Sequence, residues 1–414
     1  MTTLPPRIVI TGLGTYNPLG HDPDTTWTAV SRGQSGIGPI THFDASDYKT
    51  QIAGEVTAFD PVALFGRKEA RRMSRVTQLA LAAANQAVSD ARLNGVDKER
   101  VGVIIGSGMG NLDPIVDNTN TLNERGHTRV SPFFVPMMLV DTPAALVSIE
   151  HGFTGPNMFV ATACATGNNA IGEAARVIQR GEADVMVAGG AEACILPLAM
   201  AGFSVMGALS SHNGNPTRAL RPFDQTRDGF VASEGSAVLI LESLDHAQAR
   251  GAHIYGELLG YGTSADAYHI SMPAVGGVGA AKSMRNALHD AGLRPDQIDY
   301  INAHGTGTQL NDKAETAAIK TIFGDYAYQL PVSSTKSMHG HLLGAAGALE
   351  AIICLQSMAH ALLPPTRNYT TPDPACDLDY VPNEARPASL RTVMSNGFGL
   401  GGHNATIILG TFNG

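Results

Sequence analysis

The chain repeats itself, and that repetition limits its fold more than any other feature of its 414 residues. The stretch AVSDARLNGVDKERVGVIIGSG (87–108) is echoed by ALHDAGLRPDQIDYINAHGTG (287–307). In both, an Asp-Ala-x-Leu helix end (Asp90, Asp290) leads through a polar turn into an apolar strand. VATACATGNNAIGEAARVI (160–178) is matched more loosely by VSSTKSMHGHLLGAAGALEAII (332–353), each a strand, a small-residue turn and an alanine-rich helix. SAVLILES (236–243) is answered by ATIILG (405–410). The pairs keep the same order in both halves, which one chance echo would not do, so the chain reads as a duplicated unit. The halves divide within residues 250–260: residues 1–255 form an N-terminal half and 256–414 a C-terminal half. No low-complexity linker separates them, so the halves are expected to share an interface.

RIVITGLG, VGVIIGSG, DVMVAGG and SAVLILES are β-branched apolar runs, three of them ending in glycine. Helical stretches rich in alanine, such as TQLALAAANQAVSDARL, alternate with them. Strands that are apolar throughout suit a sheet covered on both faces, which predicts a layered α/β fold. The 46 glycines and 6% aromatic content fit close backbone packing. A net charge of −9 argues against a nucleic-acid or membrane-surface binder. Four scattered cysteines give no disulfide framework, and no window is apolar enough for a signal peptide or membrane span. A cytoplasmic protein is expected.

Three segments place chemically capable residues among small or apolar neighbours. Cys164 stands at the head of a helix, where the dipole and free N–H groups favour a thiolate. His304 ends a strand in YINAHGTGTQLNDKAE, and Lys336, His339 and His341 lie in VSSTKSMHGHLLGAAGALE. Cysteine nucleophiles need a lowered thiol pKa, a proton partner and a site for the developing oxyanion, and these segments could supply all of them. Each also has a plain structural reading: a buried inert cysteine, a turn histidine, or threonines that cap a turn. His339 and His341 have no third ligand at zinc spacing. The glycines of NGFGLGG (396–402) lack the spacing of a dinucleotide site, and there is no phosphate-binding loop motif.

Taken together, TACATG around Cys164, RDGFVASEGSAVLILE (227–242), NAHGTGTQLND (302–312), SSTKSMHGHLLGAAGALE (333–350), CDLDYVPNEAR (376–386) and SNGFGLGGHN (395–404) resemble the β-ketoacyl-[acyl-carrier-protein] synthases of bacterial fatty-acid synthesis. The resemblance runs nearly end to end. It implies a thiolase-like fold, a duplicated five-layer αβαβα arrangement with two mixed sheets, assembled as a homodimer. It also implies a decarboxylative Claisen condensation. Cys164 would carry the acyl group, and His304 and His341 would stabilise the enolate-like oxygen formed on decarboxylation. Lys336 would organise the site electrostatically, and the backbone N–H groups of Cys164 and Leu400 would form the oxyanion hole. Thr306 and Thr308 match positions that bind the phosphopantetheine arm of acyl carrier protein, and Met109 and Phe203 match the acyl pocket. Asn302, Ala303, Glu350, Ser395 and Asn396 match a structural Na+ or K+ site; no other cofactor is implied.

The sequence departs from the family at its closing motif. Leu400 stands where a gating phenylalanine is usual, His403 replaces a common threonine, and Gly397 a usual serine. For the acidic carrier protein, the basic run GRKEARRMSR offers Arg67, Lys68, Arg71, Arg72 and Arg75, with Lys68, Arg71, Arg72 and Arg75 expected on one helix face. Alternative readings are a polyketide ketosynthase with the same residues, or a catalytically silent chain-length factor. A thiolase would carry a second cysteine in the glycine-rich motif, which is absent here.

Overall fold

The computed structural model describes residues 5–412. Ten strands form its principal sheet: β1 (Ile8–Tyr16), β2 (Val101–Gly106), β3 (Asn157–Met158), β4 (Val185–Glu192), β5 (Gly235–Ser243), β6 (Gly256–Ala265), β7 (Tyr300–Asn302), β8 (Val332–Ser333), β9 (Thr392–Gly399) and β10 (His403–Gly410). Their order across the sheet is β8-β7-β9-β10-β6-β1-β5-β4-β2-β3. Outward from the centre, β1-β5-β4-β2-β3 and β6-β10-β9-β7-β8 follow the same pattern, with two antiparallel and then two parallel pairings. Each half is therefore a mixed five-stranded unit, and the duplication is physical. The pair of separate sheets expected from the resemblance is joined, because Ile8–Ile10 of β1 pair antiparallel with Gly256–Leu258 of β6.

The layers on this sheet are built from α1 (Arg75–Ala91), α2 (Thr166–Gln179), α3 (Val278–Ala291), α4 (Gln309–Phe323) and α5 (Ala346–His360). Helices α2 and α5 lie at the centre, in an apolar core shared by strands of both halves. Helix α1 packs in a second core on the outer face of the N-terminal half, and α3 and α4 in a third on the outer face of the C-terminal half. The result is the expected layering of helix, sheet, helix, sheet, helix. Close contact in the outer layers rests on glycine. A Cβ at Gly12 would meet the Ala87 carbonyl at 2.4 Å, and one at Gly260 would meet the Ala287 carbonyl at 2.4 Å. The Asp90 and Asp290 carboxylates make the equivalent bonds to the Leu13 and Tyr261 N–H, each at 2.9 Å. Among the described residues, Leu343–His360 is the one stretch long and apolar enough to cross a membrane, and 89% of it is buried in the central layer.

Candidate active site

The site lies where the ends of the central helices meet the turns that follow β7, β8 and β9. Cys164 occupies a single 3-10 turn, Ala163–Ala165, that runs straight into α2. Ala163 adopts a left-handed φ of 50°, a strained conformation for alanine that turns the chain sharply and presents the next side chain at the helix head. Strand β9 backs this turn closely: a Cβ at Gly399 would lie 2.6 Å from the Thr162 carbonyl and 3.0 Å from the Cys164 nitrogen. The backbone N–H groups of Leu400 and Cys164 both face the sulfur. Burial nevertheless pushes the thiol up to about 12, against the pull of Lys336 and the Leu400 N–H. Cys164 is therefore a neutral thiol at physiological pH, and its proton must leave during acylation.

The reactive atoms of Cys164, His304 and His341 lie within 4.8 Å of one another, all three residues buried. The imidazole rings meet edge to face with centroids 5.3 Å apart. Backbone contacts fix both histidines. His304 and Gly305 donate their N–H groups to the Glu315 carboxylate at 2.8 Å each, and His341 donates to the Val231 carbonyl at 2.8 Å. Their side chains are left free: Nδ1 of His304 and both ring nitrogens of His341 are buried without a protein partner. Burial and the nearby Lys336 charge hold both histidines well below the usual imidazole range, with His341 adding to the effect on His304 and His339 to that on His341, so both are neutral. Neutral imidazoles with free nitrogens can donate to a substrate oxygen or take the thiol proton. A cysteine with two imidazoles is also a donor set that zinc accepts. His339, which the sequence offered beside His341 without a third zinc ligand, is not part of this set: its ring is bonded to the Gly340 carbonyl and the Thr335 hydroxyl.

Lys336 is fully buried and ion-paired with Glu350. Beside that pair, Oε2 of Glu350, Oδ1 of Asn302 and Oγ of Ser395 are buried without protein partners. Ser395 and Asn302 are neighbours in the β9–β7 register. These orphaned oxygens fit the expected alkali cation, whose ligands are oxygens, and the cation would supply structural neutralisation only. Ala303 lies next to Asn302, but Asn396 turns its side chain to Thr406 and Glu315. Thr306 and Thr308 share a hydrogen bond of 3.0 Å on the turn after His304, and Thr308 also caps α4.

Met109 and Phe203 join Cys164 in one apolar cluster with Met200, Phe230 and Leu343. Phe230 connects the two ends of this pocket, edge-on to Phe203 at 5.4 Å and to His341 at 5.4 Å. Leu400, 40% exposed, stands at the rim outside the cluster. Sequence reasoning missed Glu315, although Asp312 and Glu315 are carboxylates on the buried stripe of α4, which was a readable signal.

The basic run does not form one helix face. Its helix, Pro61–Ala70, breaks at Gly66 (φ 77°), and α1 starts afresh at Arg75 behind the Ser74 cap. Arg75 turns inward to a bidentate pair with Glu234 at 2.6 Å. Arg72 is held by Glu69 and lies over the Phe133 ring at 4.7 Å. Arg67, Lys68 and Arg71 remain exposed.

Comparison with known proteins gives the same picture. The chain is 49% identical over 403 residues to 3-oxoacyl-[acyl-carrier-protein] synthase 2 of Synechocystis sp., covering 97% of each chain. It superposes with a TM-score of 0.92, at 34% identity and over 99% of its length, on the whole of a ketosynthase chain solved as "type II PKS acyl-carrier protein in complex with its ketosynthase bound to the hexaketide". A β-ketoacyl synthase from Burkholderia phymatum STM815 gives 0.90 at 37% identity, covering 99% of this chain and 100% of that one. Residues 6–247 match the N-terminal domain of the β-ketoacyl synthase family and residues 255–370 its C-terminal domain, so the chain belongs to the β-ketoacyl synthases.

Proposed function

We propose that this chain is a 3-oxoacyl-[acyl-carrier-protein] synthase that elongates fatty acids by decarboxylative condensation. The reading rests above all on Cys164 at a helix head, with two neutral, unpartnered imidazoles within 4.8 Å of its sulfur and an apolar pocket on its other side. In the first half-reaction the Cys164 sulfur attacks the thioester carbonyl of an acyl carrier protein. A neutral imidazole takes the thiol proton, the Cys164 and Leu400 N–H groups hold the oxyanion, and the carrier thiol leaves with a proton. In the second, malonyl-carrier protein loses CO2. The electron pair left on its α-carbon forms the new C–C bond to the acyl carbon, and the Cys164 sulfur departs as a thiolate that takes a proton from solvent. His304 and His341 stabilise the enolate oxygen between these events by donating N–H bonds to it. The product is a 3-oxoacyl chain two carbons longer. The test is mass spectrometry of Cys164 after exposure to acyl-carrier proteins of graded length: a mass shift equal to each acyl group is expected on Cys164, and an unmodified cysteine would overturn the assignment.

Self-association is proposed through the outer edge of the N-terminal half. Strand β3 ends the sheet with both residues exposed, and Met158 on it and Ile149 on the Thr142–His151 helix packed against it leave apolar surface. The structural cation and the pantetheine contacts of Thr306 and Thr308 belong to the same proposal. The four cysteines are unpaired and buried, which suits the reducing cytoplasm. Arg67, Lys68 and Arg71 are the proposed carrier-protein contacts. Lys68→Glu with Arg71→Glu should raise the KM for acyl-carrier substrates by about fivefold at low salt, leave kcat unchanged and flatten the salt dependence. An unaltered KM would remove this patch from the encounter. Leu400→Phe adds a planar ring at the pocket rim, and it should change the ratio of kcat/KM between long and short acyl groups more than carrier affinity. Equal ratios in both enzymes would show that the position is no gate.

A further inference from the structure

The duplication leaves a second, silent copy of the active-site frame, and one buried carboxylate fills it. The turn Leu343–Ala345 precedes α5 as Ala163–Ala165 precedes α2, and Leu343 repeats the left-handed φ of Ala163 at 44°. Gly344 therefore occupies the position of Cys164. Strands β4 and β9 correspond residue for residue, which sets Glu192 at the position of Gly399. In the active copy Gly399 has no side chain, and a Cβ there would already meet the Thr162 carbonyl at 2.6 Å. In the silent copy Glu192 takes its place: its Oε2 accepts from the N–H groups of Gly344 at 3.0 Å and Gly108 at 2.8 Å, and its Oε1 accepts from the Ser107 hydroxyl at 3.0 Å and the Met109 N–H at 3.3 Å. Four donors thus converge on a single fully buried carboxylate. Neither the catalytic steps nor the sequence comparison gives this residue a role.

What Glu192 holds is the wall of the acyl pocket. Met109 and Leu343 both belong to the apolar cluster around Cys164. Met109 is tied directly through its own N–H, and Leu343 through the N–H of the residue after it. We infer that Glu192 is a positioning residue for acyl-chain selection: by joining the Ser107–Met109 loop to the Leu343–Ala345 turn, it sets the spacing of Met109 and Leu343 and so the pocket depth beyond Cys164. This inference rests on the acyl-enzyme reading above.

Glu192→Gln keeps the volume but turns one acceptor oxygen into an NH2 group. An NH2 group at Oε2 deprives the Gly108 and Gly344 N–H groups of the acceptor that bridges loop and turn, and one at Oε1 deprives the Met109 N–H, so either orientation loosens the pocket wall. Purified wild type and variant are compared in two assays: acylation of Cys164 across acyl-carrier proteins of graded length, and CO2 release from malonyl-carrier protein, which relies on the histidines and not on the pocket. The expected result is a change of about tenfold in the long-to-short ratio of kcat/KM, the size of effect that a methylene or two commands in an apolar pocket, with decarboxylation within about twofold of wild type. Ser107→Ala removes one donor and leaves the carboxylate, so a smaller change in the same ratio is expected; it serves if Glu192→Gln does not fold. An unchanged length ratio in a folded variant would overturn the inference. So would equal losses in both assays, which indicate general damage. Failure of the wild type to acylate at all would instead overturn the acyl-enzyme reading.

Discussion

Replacing Cys164 with alanine is expected to lower condensation by at least about 10⁴-fold, the scale of loss when a nucleophile is removed. No acyl mass should then appear on the protein. The fold should survive. The side chain is small, 8% exposed, and its surroundings of Ala163, Ala165 and Gly399 are shaped by backbone contacts that alanine keeps. Its thiol is uncharged at neutral pH, so no ion pair is broken. The melting temperature should move by no more than about 4 °C. Decarboxylation of malonyl-carrier protein should persist, because His304 is held by Glu315 and His341 by Val231, and neither depends on the sulfur. Intact-protein mass and CO2 release measured on the same sample separate these outcomes. An acyl adduct that survives the substitution would mean that another group is the nucleophile.

Much of this arrangement was legible in the sequence because its signals are local. Strands such as SAVLILES carry an unbroken apolar run, Ala237–Leu241, that could only be buried on both faces. The order of the echoes foretold the symmetry of the sheet, since equivalent segments must fill equivalent places. The small residues around Cys164 marked a tight turn at a helix head, and the turn is there. Other features were not legible, because they depend on what meets across the chain. The sheets of the two halves join through three residues each of β1 and β6, a contact with no pattern of its own. The basic run looked helical by spacing. It is broken because Gly66 takes a positive φ and because Asp60 and Ser74 each cap the start of a separate helix. Arg75 lost its place on the surface to Glu234, which is 159 residues away in sequence. Glu192 and Glu315 read as ordinary acids until the fold brings backbone N–H groups to them.

Lys336 should give the largest stability effect. Its ammonium and the Glu350 carboxylate are both removed from water, with exposures of 0% and 1%. Removing one member of such a pair leaves the other charge buried and uncompensated, which costs about 3–5 kcal/mol. For Lys336→Ala, that corresponds to a fall in melting temperature of roughly 3–6 °C in a chain of this length. The loss should depend on pH in a definite direction. Burial raises the Glu350 carboxyl to about 7 even with Lys336 opposing it, and without Lys336 it rises further. A carboxyl raised in the folded state favours folding below its unfolded value and loses that advantage as pH climbs through the folded one. The deficit of Lys336→Ala should therefore be largest near pH 8 and shrink toward pH 5, where Glu350 is protonated. Glu350→Gln added to Lys336→Ala should restore at least half of the lost stability at pH 8, because the stranded charge is gone. It should not restore activity. Lys336 also opposes the burial that pushes up the Cys164 thiol and helps to hold His304 and His341 neutral, so the double variant should alkylate at Cys164 more slowly than wild type at every pH. A melting curve for Lys336→Ala that matches wild type across this range would show that the pair contributes no net stability. Stability would then have to come from contacts around Glu350 that do not need the lysine.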